Sequence, residues 1–167
     1  EPEERLIRVP LSHCIATALG VLGPAGLGYA QLCEWQGTSS TSVEALAVYD
    51  DGRGEALYAG GSFVTVNGIS ANRIARWDGA IWESLGVGVS GDVYALDVYD
   101  DGNGESLYAA GAFETAGAGP ASNIAKWDGS AWSPVGAGVN NTVFALAAHE
   151  DCEGSALYAT GYFSTAG

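Results

Sequence analysis

The stretch VEALAVYDDGRGEALYAGGSF (43–63) returns as VYALDVYDDGNGESLYAAGAF (93–113) and again as VFALAAHEDCEGSALYATGYF (143–163). The spacing is 50 residues each time, with no insertion or deletion. Over the whole unit, residues 43–92 and 93–142 share 26 identical positions of 50, and residues 143–167 hold half of a third copy. Repetition at this period marks supersecondary units that bury their apolar faces against one another.

Each unit reads as four short strands. In residues 93–142 they are VYALDVY (93–99), SLYAAGAF (106–113), NIAKWD (123–128) and SAWSPVG (130–136). The turn DDGNG (100–104) joins the first two strands, and a glycine- and alanine-rich connection leads to the third. Asp128-Gly129 joins the last two, as Asp78-Gly79 does one unit earlier. Asp-Gly between alternating apolar residues signals a hairpin, because glycine accepts the positive φ that such turns need. The expected fold class is therefore all-β: tandem four-stranded antiparallel blades of about 50 residues, in the manner of a β-propeller.

The residues that carry this pattern resemble a known family. LYAGG (57–61), ARWDG (75–79), Trp82 and Leu85-Gly86 resemble the kelch repeat, an apolar run ending in two glycines followed by spaced aromatics. The likeness is closer to kelch-like repeats of secreted bacterial proteins, with runs such as DDGxGxxLYAGGSF and ANxIARWDGxxW. It covers residues 43–167 and part of 31–42, and it implies architecture rather than activity. Ala110 and Thr160 depart from it by replacing the first glycine of the pair, and His149-Glu150-Asp151-Cys152 alters the acidic turn. Within 31–42, Cys33-Glu34-Trp35 reads as a worn copy of a blade's last strand, the strand that a propeller borrows from its other end to close. Closed propellers hold about four to eight blades. A chain of about two and a half units is then part of a longer ring, one of several chains completing a ring, or a linear stack.

Charge restricts the partners. The net charge is −14, and the only Lys and Arg residues are Arg5, Arg8, Arg53, Arg73, Arg76 and Lys126. Such a surface repels phosphate backbones and anionic lipid, so nucleic acid is excluded as a partner. It also keeps a β protein rich in glycine and aromatics soluble. Residues 1–30 differ from the rest. Arg5 and Arg8 precede the uncharged stretch CIATALGVLGPAGLGYA (14–30), and Gly28 and Ala30 sit at −3 and −1 from a possible cleavage before Gln31. That is the layout of a secretory signal, set against the acidic Glu1, Glu3 and Glu4; the alternative is an apolar segment that plugs into a neighbouring subunit. The stretch is short for a membrane span and is broken by Gly23-Pro24, so no span is expected in the mature chain. Export would place the protein outside the cell, where Cys33 and Cys152 can pair.

Candidate sites are few. Asp50, Asp51, Asp100 and Asp101 lie in acidic turns whose carboxylates can ligate Ca²⁺, yet Asp and Gly are also the ordinary residues of hairpin turns, and the EF-hand spacing is absent. Trp77, Asp78, Gly79 and Trp82, repeated as Trp127, Asp128, Gly129 and Trp132, recur at fixed positions. Recurrence favours packing between repeats over a sugar-stacking surface. Asn140-Asn141-Thr142 is a glycosylation sequon. No Ser-His-acid or CxxC arrangement stands out, so no catalytic residue or cofactor is expected. The leading expectation is a non-enzymatic, exported surface or matrix protein whose repeats form a scaffold for self-assembly, filaments included, or for binding. The other readings are a carbohydrate-binding or carbohydrate-active propeller, with its site in residues 64–72 and 114–122, which vary most between units, and a fragment of a larger secreted enzyme.

Overall fold

The computed structural model describes residues 42–152 and 154–167; the expected signal, the worn strand of 31–42 apart from its last residue, and Cys33 lie outside them. The described residues form strands and turns, and no helix among them is long and apolar enough to cross a membrane. The first unit holds β1 (Val43–Asp50), β2 (Glu55–Gly61), β3 (Thr65–Val66), β4 (Ile69–Ser70), β5 (Ile74–Trp77) and β6 (Trp82–Ser84). The second holds β7 (Asp92–Asp100), β8 (Glu105–Ala112), β9 (Thr115–Ala116), β10 (Gly119–Pro120), β11 (Ile124–Trp127) and β12 (Trp132–Pro134). The third contributes β13 (Val143–Asp151) and β14 (Gly154–Gly161).

The long strands form antiparallel sheets in the orders β1-β2-β5-β6 and β7-β8-β11-β12, with β13-β14 as a two-stranded counterpart. The connection between second and third strands is not plain loop. It carries a miniature hairpin, β3-β4 in the first unit and β9-β10 in the second. In the first unit the hairpin turns on Asn67-Gly68, both at positive φ (46° and 80°), the geometry that Asn-Gly supplies most readily. In the third unit the turn is shortened, with Asp151 paired to Gly154.

The paired glycines of the repeat have separate duties. Each first strand carries a bulge, between Val43 and Ala45, Val93 and Ala95, and Val143 and Ala145. At each bulge the second glycine of the partner strand (Gly61, Gly111, Gly161) lies against the backbone. A Cβ there would overlap the carbonyl oxygen of Ser42, Asp92 or Thr142 respectively. The first glycine faces the next sheet instead. A Cβ on Gly60 would lie 2.5 Å from Val93 Cγ1. The second unit has Ala110 at this place, fully buried in a cluster with Val143, so that interface already accommodates one methyl.

Sheets of successive units pack face to face, with β7 in contact with both β1 and β13. Between the first two units the core joins Tyr49, Tyr58 and Ile74 to Val93, Leu107 and Trp127. Backbone pairing closes the same junction. Val89 bridges to Ala116, Ser90 N donates to Thr115 O at 3.0 Å, and Gly117 N donates to Gly88 O at 2.9 Å. One period later Val139 bridges to Ala166, Asn140 N donates to Thr165 O at 3.2 Å, and Gly167 N donates to Gly138 O at 3.1 Å.

The glycine geometry sets a test. Gly111→Ala must displace a backbone carbonyl and should lower stability by about 3 kcal/mol, as severe overpacking does. Gly119→Ala, with nothing within 4 Å of its Cβ position, should change stability by less than about 0.5 kcal/mol in the same urea titration.

Candidate functional site

The acidic turns are built from within. Asp50 Oδ1 accepts from Gly52 N and Gly54 N at 2.9 Å each, and Asp51 Oδ1 accepts from Arg53 N at 3.2 Å. In the second unit Asp100 Oδ1 accepts from Gly102 N at 2.8 Å and Gly104 N at 2.9 Å, while Asp101 Oδ1 accepts from Asn103 N at 3.2 Å. The first aspartate of each turn thus holds the loop closed, the job that Asx residues perform in turns generally.

The second aspartate turns its other oxygen inward. Asp51 Oδ2 accepts from Tyr58 Oη at 2.9 Å and lies 3.2 Å from Arg76 Nε, with both charged side chains almost wholly buried. Arg53 pairs with the same carboxylate, and both arginines reach Glu83 Oε2, at 3.1 and 3.0 Å. The second unit keeps a smaller version: Lys126 pairs with Asp101, and Tyr108 Oη lies 3.3 Å from it. These four aspartates are committed to backbone N–H groups, tyrosines and basic side chains. Among the described residues no group of three or more His, Cys, Asp or Glu is placed to hold a metal.

The Asp-Gly turns follow the same logic. Asp78 Oδ1 accepts from Ala80 N and Ile81 N at 2.8 Å, and Asp128 Oδ1 accepts from Ser130 N and Ala131 N at 2.8 Å. Gly79 and Gly129 take φ of 99° and 96°. Each turn brings two tryptophans together, Trp77 with Trp82 and Trp127 with Trp132, at centroid distances of 5.4 Å. Trp127 is buried in the core between the first two units, and Trp132 Nε1 donates to Leu85 O of the preceding unit at 2.9 Å.

Other residues of the junction gave little signal in the sequence. Tyr49 Oη donates to Glu105 O at 3.0 Å, and Tyr99 Oη to Ser155 O at 2.8 Å, so each unit's tyrosine holds the next. Their recurrence at 50 residues was the available clue. Asn140, the sequon asparagine, is occupied in the same way. Its Nδ2 donates to Ser164 Oγ at 3.0 Å and its Oδ1 accepts from Ser164 N and Thr165 N. Cys152 is exposed. His149 takes the tyrosine's place in the third unit, its ring 6.3 Å from that of Tyr158.

No protein-family model matches the chain, and neither a curated protein nor a solved structure matches it.

Asp51, Asp78, Asp101 and Asp128 titrate low. A hydrogen bond from Lys126, helped by one from Asn103, holds Asp101 at about 2. Burial pushes Asp51 up, but hydrogen bonds from Arg53 and Tyr58 outweigh it and leave it below the ordinary range. Backbone N–H groups lower Asp78, through Ile81 and Ala80, and Asp128, through Ala131 with help from Ser130. Burial, followed by the charge of Asp101, pushes Tyr108 up to about 12. A carboxyl depressed by folding stabilises the native state above its unfolded pKa, and that contribution is lost as pH falls through the folded value. The urea midpoint should therefore fall between pH about 4 and about 2. Asp101→Asn should flatten that slope in a pH series of urea titrations, and an unchanged slope would remove Asp101 from the account.

Proposed function

We propose that this chain is a non-enzymatic, exported repeat scaffold of the kelch-like propeller type, acting at a cell surface or in a matrix through contacts between repeats. The carrying observation is the outward face of the first described unit. Leu46 and Val48 are 59% and 51% exposed there, whereas Leu96 and Val98, the same positions one period on, pack into the core against the first unit. At the other side Tyr158 is 49% exposed, where Tyr58 is fully buried and Tyr108 nearly so. The two faces match the two sides of the junction between repeats, and the surface that suits each is that of another repeat, of the same protein or of a second copy. Head-to-tail contacts of this kind give rings when their rotation closes and filaments when it does not.

The recurring residues support a scaffold over an enzyme. Tryptophans, turn aspartates, paired glycines and tyrosines serve the sheets and their junctions at every period. A net charge of −14 suits an exported, soluble surface.

Sedimentation velocity and negative-stain electron microscopy test the assembly directly. The chain should associate with rising concentration up to roughly 100 μM, in the affinity range expected of such a contact. The double variant Leu46→Asp, Val48→Asp should stay monomeric while keeping its β-type circular dichroism. A wild-type chain that is monomeric throughout would overturn the assembly reading.

A further inference from the structure

A cleft of about 350 Å³ opens where the first two units meet, beside the backbone bridge that joins them. Val64, Val87, Asn72, Arg73, Ser90 and Thr115 line it. Both sides of the cleft come from described residues of repeats 1 and 2, and its flanks fall in the segments 64–72 and 114–122 where the units differ most.

Arg73 is the unusual member. Its φ is +75°, a left-handed backbone that arginine seldom adopts. The equivalent residue of the second unit is Asn123 at +61°, a residue well suited to that conformation. The first unit therefore carries an arginine where the repeat's own alternative would fit the backbone better. Strain kept at one copy of a repeat, at the wall of a cleft, points to use.

The arginine is also held in position. Its Nε lies 3.0 Å from Asp92 Oδ1, and Tyr94 Oη lies 3.5 Å from the other oxygen of that carboxylate. Among the described residues its two terminal nitrogens make no hydrogen bond, and the side chain is one-quarter exposed. The second junction has neither partner, because Asn123 and Thr142 stand at these places.

We propose that this cleft binds a neutral sugar unit, with the Arg73 terminal nitrogens donating to adjacent ring hydroxyls. Three properties select that class. Asp92 cancels the guanidinium charge and the whole chain is strongly acidic, which disfavours an anion. Arg73 lines the cleft together with the hydroxyls of Ser90 and Thr115. Ser90 Oγ already accepts from Glu114 N and Thr115 N at 3.0 Å, which leaves it to donate, while Thr115 Oγ1 can donate and accept, and a sugar hydroxyl answers both. Val64 and Val87, 48% and 61% exposed, give the rim an apolar contact for the ring's C–H face. The volume is at the small end for ligand sites, suited to one or two sugar rings. This site goes beyond the scaffold reading and does not depend on assembly.

The test uses the full chain with methyl glycosides of glucose, galactose, mannose and N-acetylglucosamine, each at up to about 10 mM, the regime of weak single-site binding. Backbone amide shifts of Asn72, Ser90 and Thr115 are followed by NMR. At least one glycoside should move these amides saturably. Arg73→Asn, which installs the second unit's residue, should weaken that binding about tenfold or more without lowering the thermal midpoint. Asp92→Thr, likewise borrowed from the second unit, should weaken it too. Absence of saturable shifts with all four glycosides would overturn the proposal, as would Arg73→Asn binding as tightly as wild type. Preference for glucuronate over glucose would overturn the neutral-ligand assignment. The cleft contains none of the outward residues Leu46, Val48 and Tyr158, and glycoside shifts are read on the monomeric Leu46→Asp, Val48→Asp variant as well as on the wild-type chain, so failure here and failure of the scaffold reading are separate results.

Discussion

Two backbones cross at the start of each unit with no room for a side chain between them. Gly111 lies against the carbonyl of Asp92, as Gly61 lies against Ser42 and Gly161 against Thr142. Much of the unit follows from that crossing. The first strand can approach so closely only through a bulge, and the bulge turns Val93 toward the preceding sheet, where it is fully buried. Gly91, immediately before the crossing, is pressed in turn against Ala112 O. Its neighbour Ser90 is thereby delivered to Thr115, where the bridge to the next hairpin forms. One steric constraint thus links the sheet within a unit to the junction between units.

The junction is tuned by small changes at one position. Gly60, Ala110 and Thr160 occupy the same place in successive copies, and the first two face Val93 and Val143 across the gap. Close-packed interiors register even one methyl, so the two junctions differ by a definite increment of volume while keeping the same register. The polar contacts are steadier. The Tyr49 and Tyr99 hydroxyls reach the next unit's carbonyl 56 residues on in both cases. Hydrogen bonds of this kind contribute on the order of 1 kcal/mol each, and they specify alignment that apolar contact alone leaves loose.

Much of the sheet was legible beforehand. Strand expectations at 93–99 and 106–113 meet β7 and β8 within a residue, because alternation and turn residues are local signals. Asp128-Gly129 was readable for the same reason. The miniature hairpins were not read, although Asn67-Gly68 between Val66 and Ile69 announces one plainly. In the second unit Gly117, Ala118 and Gly119 give no such cue. The pairing of Arg73 with Asp92, and of Ser90 with Thr115, depends on contacts across a junction, which local pattern does not encode. Asp51 illustrates the difference within one residue: its turn role follows from Asp-Gly chemistry, whereas its buried pairing with Arg76 follows only from the fold.

If equivalent backbone bridges join all successive units, their amides must be shielded like those of the sheets. Native-state hydrogen exchange measured amide by amide decides this. The account predicts that Ser90, Gly117, Asn140 and Gly167 exchange slowly, Ser90 and Gly117 at rates within about tenfold of the β8 amides, a spread of some 1.4 kcal/mol in opening free energy. Exchange of Ser90 and Gly117 at the rate of Ala118, exposed in the turn between β9 and β10, would contradict it, and would leave the units as neighbours packed side by side without a shared backbone.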